Sequence, residues 1–125
     1  HWLRLENGAD LIEAMDVPEG FSMLTAYDLN DARSDRVRAY LPRFEETRLP
    51  DPDRGKWSAW EKLMKSRGGG GTGAEGDMLI ESNIGFGTTS SSFVALPSAK
   101  HARAAPTWLF AAGRPDKAPY EPVAF

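Results

Sequence analysis

The chain opens on an alternation, Trp2-Leu3-Arg4-Leu5-Glu6. Successive side chains of extended backbone point to opposite faces, so this pattern predicts a strand. Asn7-Gly8 follows, the pair best suited to a two-residue hairpin turn, and residues 10–15 (DLIEAM) then predict the return strand. Residues 16–20 (DVPEG) predict a turn built on Pro18 and Gly20. In FSMLTAY (21–27), Phe21, Met23 and Thr25 alternate with Ser22, Leu24 and Ala26, which predicts a third strand ending near Tyr27 and Asp28.

The period then changes. Val37, Tyr40, Leu41 and Phe44 recur at helical spacing behind Ser34, a side chain suited to capping the first turn. Pro42 falls inside this pattern and predicts a break or kink near Leu41, because proline removes a backbone donor and crowds the preceding turn. RLPDPDRG (48–55) predicts a loop, and KWSAWEKLMKS (56–66) a second helix. In that helix Trp57, Trp60, Leu63 and Met64 form a core stripe, while Lys56, Glu61, Lys62 and Lys65 lie off it.

RGGGGTGAEG (67–76) predicts a flexible loop, since it offers little side chain to bury and much backbone freedom to lose. No Lys follows its last Gly at the spacing of a phosphate-binding loop, so that chemistry is unsupported. TSSSFVALP (89–97) and PTWLFAAG (106–113) predict a strand pair, joined through a solvated tip at 98–105. Trp108 and Phe110 share one face of the second strand, and Leu109 and Ala111 the other. Both faces are apolar, so cover is expected on both sides. RPDKAPYEPV (114–123) is a Pro-rich tail expected to wrap rather than pair. Strands, two helices and then a strand pair predict an α+β fold in one domain spanning 1–125.

Composition narrows the function classes. The 125 residues are 41% hydrophobic, enough for a core, with net charge −3 from 15 basic and 18 acidic residues. Like charges are not blocked together, and Lys100, His101 and Arg103 are the nearest approach to a basic patch, so nucleic acid gets no electrostatic support as a partner. No apolar run reaches the roughly 18 residues of a membrane span, and no signal peptide is visible. The chain has no Cys, which excludes internal disulfides and Cys-based zinc sites and fits a reducing, cytoplasmic setting. The chain starts at His1 with strand-like residues, so the expectation is a fragment with further sequence upstream.

Several chemistries can be set aside from the residues alone. Glu45-Glu46 and Asp51/Asp53 are paired carboxylates in helix-end or loop context, where solvated charge explains them. His1 and His101 are the only histidines and lack ligand spacing, so no metal and no cofactor is expected. No G-x-S-x-G elbow is present for a Ser-His-Asp site. What remains is the hydroxyl run Thr88-Thr89-Ser90-Ser91-Ser92. Alternation would put Thr88, Ser90 and Ser92 on one face, and Thr89, Ser91 and Phe93 on the other. Such small hydroxyls can bond neighbouring backbone, a cross-strand partner or a ligand.

GFGTTSSSFVALP (85–97) resembles the G-[YF]-G-T-R-S-S-T motif and following apolar strand of the NRDE family, also called the transport and Golgi organization 2 family. VPEGFSMLTAYDLNDARSDRVRAYLPRF (17–44) is similar to that family's Leu-Pro-x-Gly turn, short strand and helix. The resemblance covers most of this chain but only the C-terminal half of the family. The Asn-Arg-Asp-Glu motif and the Met-Cys start belong to the family's N-terminal part and are absent here. Thr25-Ala26 stands where the family often has Ser-Asn, and Thr89 where it often has Arg.

The resemblance implies part of an αββα sandwich with antiparallel sheets and flanking helices, similar to N-terminal nucleophile hydrolases. It implies amide or acyl-group hydrolysis by a complete protein whose N-terminal Cys is nucleophile and, through its amine, base. This chain would then supply pocket walls and no catalytic residue. Its pocket candidates are Thr25, Tyr27, Asp28, Thr88, Thr89, Ser90 and Ser91. The alternative is a non-catalytic protein handling haem or acyl lipid. The partners implied are a small-molecule ligand or substrate, the missing N-terminal half, and a second copy of the chain. Self-association would run through Trp2, Leu3 and Leu5 or through Trp108 and Phe110.

Overall fold

The computed structural model describes residues 2–5, 12–68, 76–101 and 103–124. The fold is a small α+β arrangement of antiparallel sheets and two helices. Strand β1 (Trp2–Leu5) pairs antiparallel with β2 (Ile12–Met15), in register from Trp2 opposite Met15 to Leu5 opposite Ile12. The Asn7-Gly8 turn and most of the glycine-rich loop lie outside the described residues.

The third strand expected over 21–27 does not form. Asn30 takes its place as organiser. The Met23 N–H donates to Asn30 Oδ1 at 2.7 Å, and the Asn30 N–H donates back to the Met23 carbonyl at 2.8 Å. Asn30 has φ 58°, a left-handed conformation that Asn tolerates better than most residues. The backbone bonds a strand would need at Met23 are therefore consumed in closing the 23–30 loop.

Helix α1 (Asp35–Glu46) begins as expected, with Ser34 Oγ accepting from the Val37 N–H at 3.3 Å. Asp35 in its first turn and Arg43 in its last suit the helix dipole. Of the break or kink expected near Leu41, the break does not occur: the helix runs through Pro42 to Glu46. Pro42 and Arg38, the residue whose carbonyl loses its donor, are both exposed. The proline thus sits on the solvent side, where that loss is least expensive.

The second helix is shorter than the 56–66 pattern. Helix α2 spans Ser58–Met64. Lys56 cannot join it, because its N–H and carbonyl both pair with Asp51 (2.9 and 3.0 Å) across the 3₁₀ turn Pro52–Arg54. Asp51 caps that turn by accepting from the Arg54 N–H, and Gly55 closes it at φ 63°.

Strands β3 (Ser91–Ala95), β4 (Thr107–Ala111) and β5 (Glu121–Pro122) form a second antiparallel sheet in that order. The β3–β4 pair is the one the sequence predicts, with Phe93 opposite Leu109 and Val94 opposite Trp108. The tail, expected to wrap, pairs in part: Leu109 faces Pro122 and Phe110 faces Glu121. The Val123 N–H donates to the Trp108 carbonyl at 2.9 Å. Bonded pairs alternate in an antiparallel ladder, so Pro122 occupies a non-bonded position on an edge strand, where its missing N–H costs nothing.

The sheet is covered unevenly on its two faces: Trp108 and Phe110 are half-buried on the face where Ser92 and Val94 are exposed. Phe93 and Ala111 are buried, while Val94 on the opposite face is 58% exposed. Phe93 stacks on Trp57, which precedes α2, at 5.2 Å between centroids, and lies 4.6 Å from the Tyr120 ring. Trp60 meets Phe44 of α1 edge-on at 5.1 Å and Phe21 at 6.2 Å. Tyr40, wholly buried, accepts at its hydroxyl from Ser66 Oγ at 3.2 Å. Of the stripe that the spacing predicts, Trp57 is buried just before α2, and Trp60, Leu63 and Met64 are half-buried within it.

Asn30→Ala should destabilise the protein by about 1–3 kcal/mol, through a lost hydrogen bond and an unfavourable left-handed residue. Asn30→Asp, which keeps the acceptor, should lose less. Urea unfolding checks this; equal stability of the alanine variant and the parent would show that the loop closure contributes nothing.

Candidate functional site

The hydroxyl run leaves a tight turn. Gly85 takes φ 82°, and Ser82 locks the turn from both sides, its N–H donating to the Phe86 carbonyl at 3.0 Å and its Oγ accepting from the Phe86 N–H at 3.0 Å. A Cβ on Gly87 would lie 2.9 Å from the Ile80 carbonyl oxygen. The Gly-Phe-Gly sequence is thus required by backbone geometry, one glycine for its φ and the other for a close approach.

The five hydroxyls divide by environment. Thr88 is structural: its N–H donates to the Ile80 carbonyl at 2.9 Å, and its Oγ1 accepts from the Ile80 N–H at 3.0 Å. Thr89 and Ser90 are exposed and precede the paired part of the strand. Ser91 is buried, its Oγ 2.7 Å from the Tyr120 hydroxyl. Ser92 is exposed and accepts from the Trp108 indole N–H at 3.3 Å across the β3–β4 pair. Strict alternation applies only from Ser91 onward, because β3 starts there; Ser91 and Phe93 share the covered face and Ser92 and Val94 the open one.

Burial raises the Tyr120 phenol above its ordinary value, and the hydrogen bond to Ser91 partly offsets this. Such a phenol is a poor base at neutral pH. The Ser91–Tyr120 pair accordingly fastens the C-terminal segment to β3 and does not activate a serine.

The other three pocket candidates lie in the 23–30 loop. Thr25 Oγ1 accepts from the Tyr27 N–H at 3.4 Å. The Arg33 guanidinium sits 5.3 Å from the Tyr27 ring centroid and 4.0 Å from Asp28, and its closest pairing is with Asp31. This arginine holds the Asp31 carboxyl below the usual range. Tyr27 and Asp28 therefore belong to a local Arg33 network, Thr25 bonds the Tyr27 backbone beside it, and Thr88 to Ser91 belong to the β3 entry.

A further ionic cluster secures the turn before β3. Glu81 pairs with Arg114 and with Arg67, and Arg114 also pairs with Asp116 at 2.8 Å. Arg114 first and Arg67 second hold the Glu81 carboxyl below its ordinary range. Glu81 and Arg67 face solvent while Arg114 is half-buried, and the cluster ties Arg67, at the start of the glycine-rich loop, to the 114–118 turn. Among the described residues no group of His, Asp or Glu could hold a metal ion, and no helix is long and apolar enough to cross a membrane.

Sequence reasoning missed Tyr120 and Asn30. The signal for Tyr120 was its place between Pro119 and Glu121-Pro122, a stiff frame around one aromatic ring. The signal for Asn30 was Asp28-Leu29-Asn30-Asp31, rich in residues that favour turns. Comparison with protein-family models, curated proteins and solved structures finds no match to this chain.

The raised Tyr120 value gives an alkaline prediction. A group whose folded pKa lies above its unfolded value contributes stability that is complete below the unfolded value, about 10 for Tyr. That contribution is lost as pH rises through the folded value. Denaturant midpoints should therefore fall above pH ~10, and fall less steeply in Tyr120→Phe; parallel curves would contradict the assignment. Ultraviolet titration of Ser91→Ala should show Tyr120 ionising at still higher pH than in the parent.

Proposed function

We propose that this chain is the C-terminal half of an NRDE-type protein. In that reading it forms the non-nucleophilic wall of a site that hydrolyses amide or acyl bonds. The observation that carries the reading is the uneven cover of the sheet, which leaves Val94 exposed. Val94 is 58% exposed on the face it shares with the half-buried Trp108 and Phe110, while Phe93 and Ala111 are buried on the opposite face. An αββα sandwich would place a second sheet on that open face. The upstream half would supply it, together with an N-terminal Cys acting as nucleophile and its own amine as base.

This chain's contribution would then come from the entry to β3. Thr89 and Ser90 are exposed there, next to the open face. Their hydroxyls and the adjoining backbone N–H groups suit an acyl oxygen that gains charge in the transition state. Ala26 cannot donate from its side chain, so the β3 entry would carry the larger share. The resemblance of 85–97 and 17–44 to the family motif supports this placement.

A second reading keeps the sandwich and drops turnover. Ser91 is paired with a phenol unsuited to act as base, and Val94, Trp108 and Phe110 would line a surface fit for an acyl chain or haem edge. The protein would then handle a small molecule without changing it.

Two measurements test these readings. The complete reading frame, assayed on acyl and amide substrates, should be active and should lose activity on thiol alkylation; activity that survives alkylation, or a reading frame without Cys, would overturn the hydrolase reading. The isolated chain should self-associate at micromolar concentration in sedimentation experiments, and Val94→Lys should reduce this. A monomeric parent with sharp cooperative unfolding would contradict the open-face argument.

A further inference from the structure

A cavity of about 390 Å³ opens between the 3₁₀ turn Pro52–Arg54 and the far end of the β3–β4 pair. Its walls include Pro52, Leu96 and Pro97, with Ala105 beside them. Asp53, Ser98 and Thr107 are its polar side chains, and Asp53 is the only ionisable residue among the described ones that line it. The size lies within the range of small-molecule sites.

The carboxylate is held without a cation. Asp51 draws its neighbour Arg54 away, accepting from the Arg54 backbone N–H at 3.2 Å and lying 3.7 Å from its guanidinium. Among the described residues, no ion pair reaches Asp53. The paired backbones of Asp51 and Lys56 fix the turn that carries it. A rigid turn thus presents one uncompensated negative charge beside aliphatic walls.

We propose that this cavity binds a small aliphatic amine. The ammonium group would sit against Asp53 and the Thr107 hydroxyl, and the alkyl chain would lie along Leu96, Pro52 and Pro97. An anionic ligand would meet repulsion from Asp53, and a purely apolar one would gain nothing from it. The site is separate from the open sheet face and does not depend on the hydrolase reading.

The test is an amide NMR titration of the isotope-labelled chain with hexylamine, and with hexanol and hexanoate in parallel. Hexylamine should move the signals of Asp53, Leu96, Ser98, Ala105 and Thr107, and bind about fivefold tighter than hexanol, the gain expected from a partly solvated ion pair. Asp53→Asn, a surface change, should bring amine and alcohol to equal affinity. Equal binding of the two by the parent, shifts centred elsewhere, no shifts with hexylamine, or affinity unchanged in Asp53→Asn would each overturn the proposal.

Discussion

The structure depends on one ring. Phe93 lies between Trp57 and Tyr120, at 5.2 and 4.6 Å between centroids. Ring pairs of this kind contribute roughly 0.5–1.5 kcal/mol beyond the area they bury. Trp57 brings the helical layer to the sheet, and Tyr120 brings the C-terminal segment back to it. Because side chains alternate along β3, the same contact decides that Ser91 faces inward, where it meets the Tyr120 hydroxyl. It also decides that Ser92 and Val94 face outward.

From this clamp two networks extend. Trp60, three residues after Trp57, carries the aromatic packing onto Phe44 and Phe21, so α1 and the 21–30 segment are fastened through α2. On the other side, Thr88 and Ile80 exchange hydrogen bonds, and Glu81 joins Arg67 to Arg114. The Gly-Phe-Gly turn is held between these contacts. The entry to β3 is consequently rigid, although Thr89 and Ser90 themselves face solvent.

Much of this was legible where one local signal dominates. Ser34 before a helical stripe, the Trp57/Trp60 spacing and the β3–β4 pair each follow from periodicity and capping. The α+β class follows from their order. The failures share a cause: a side chain or edge position settled the outcome, and alternation does not report it. Residues 21–27 alternate as a strand does, but Asn30 captures the Met23 backbone. Pro42 reads as a break or kink, and its exposed position lets the helix continue unbroken. Pro122 reads as unpairable, yet the register places it where no donor is needed. At the site, spacing grouped five hydroxyls, and only their partners separate the structural Thr88 and Ser91 from the open Thr89 and Ser90.

The sheet face that Phe93 occupies decides which residues are covered, and nuclear Overhauser contacts among the aromatic rings test that most directly. Phe93 ring protons should contact both the Trp57 indole and the Tyr120 ring, while the Val94 methyls contact neither. Contacts from Val94 to Trp57 or Tyr120, with Phe93 free of both, would reverse the covered face. That result would remove the basis for the inward Ser91, the outward Val94 and the open surface assigned to a second layer.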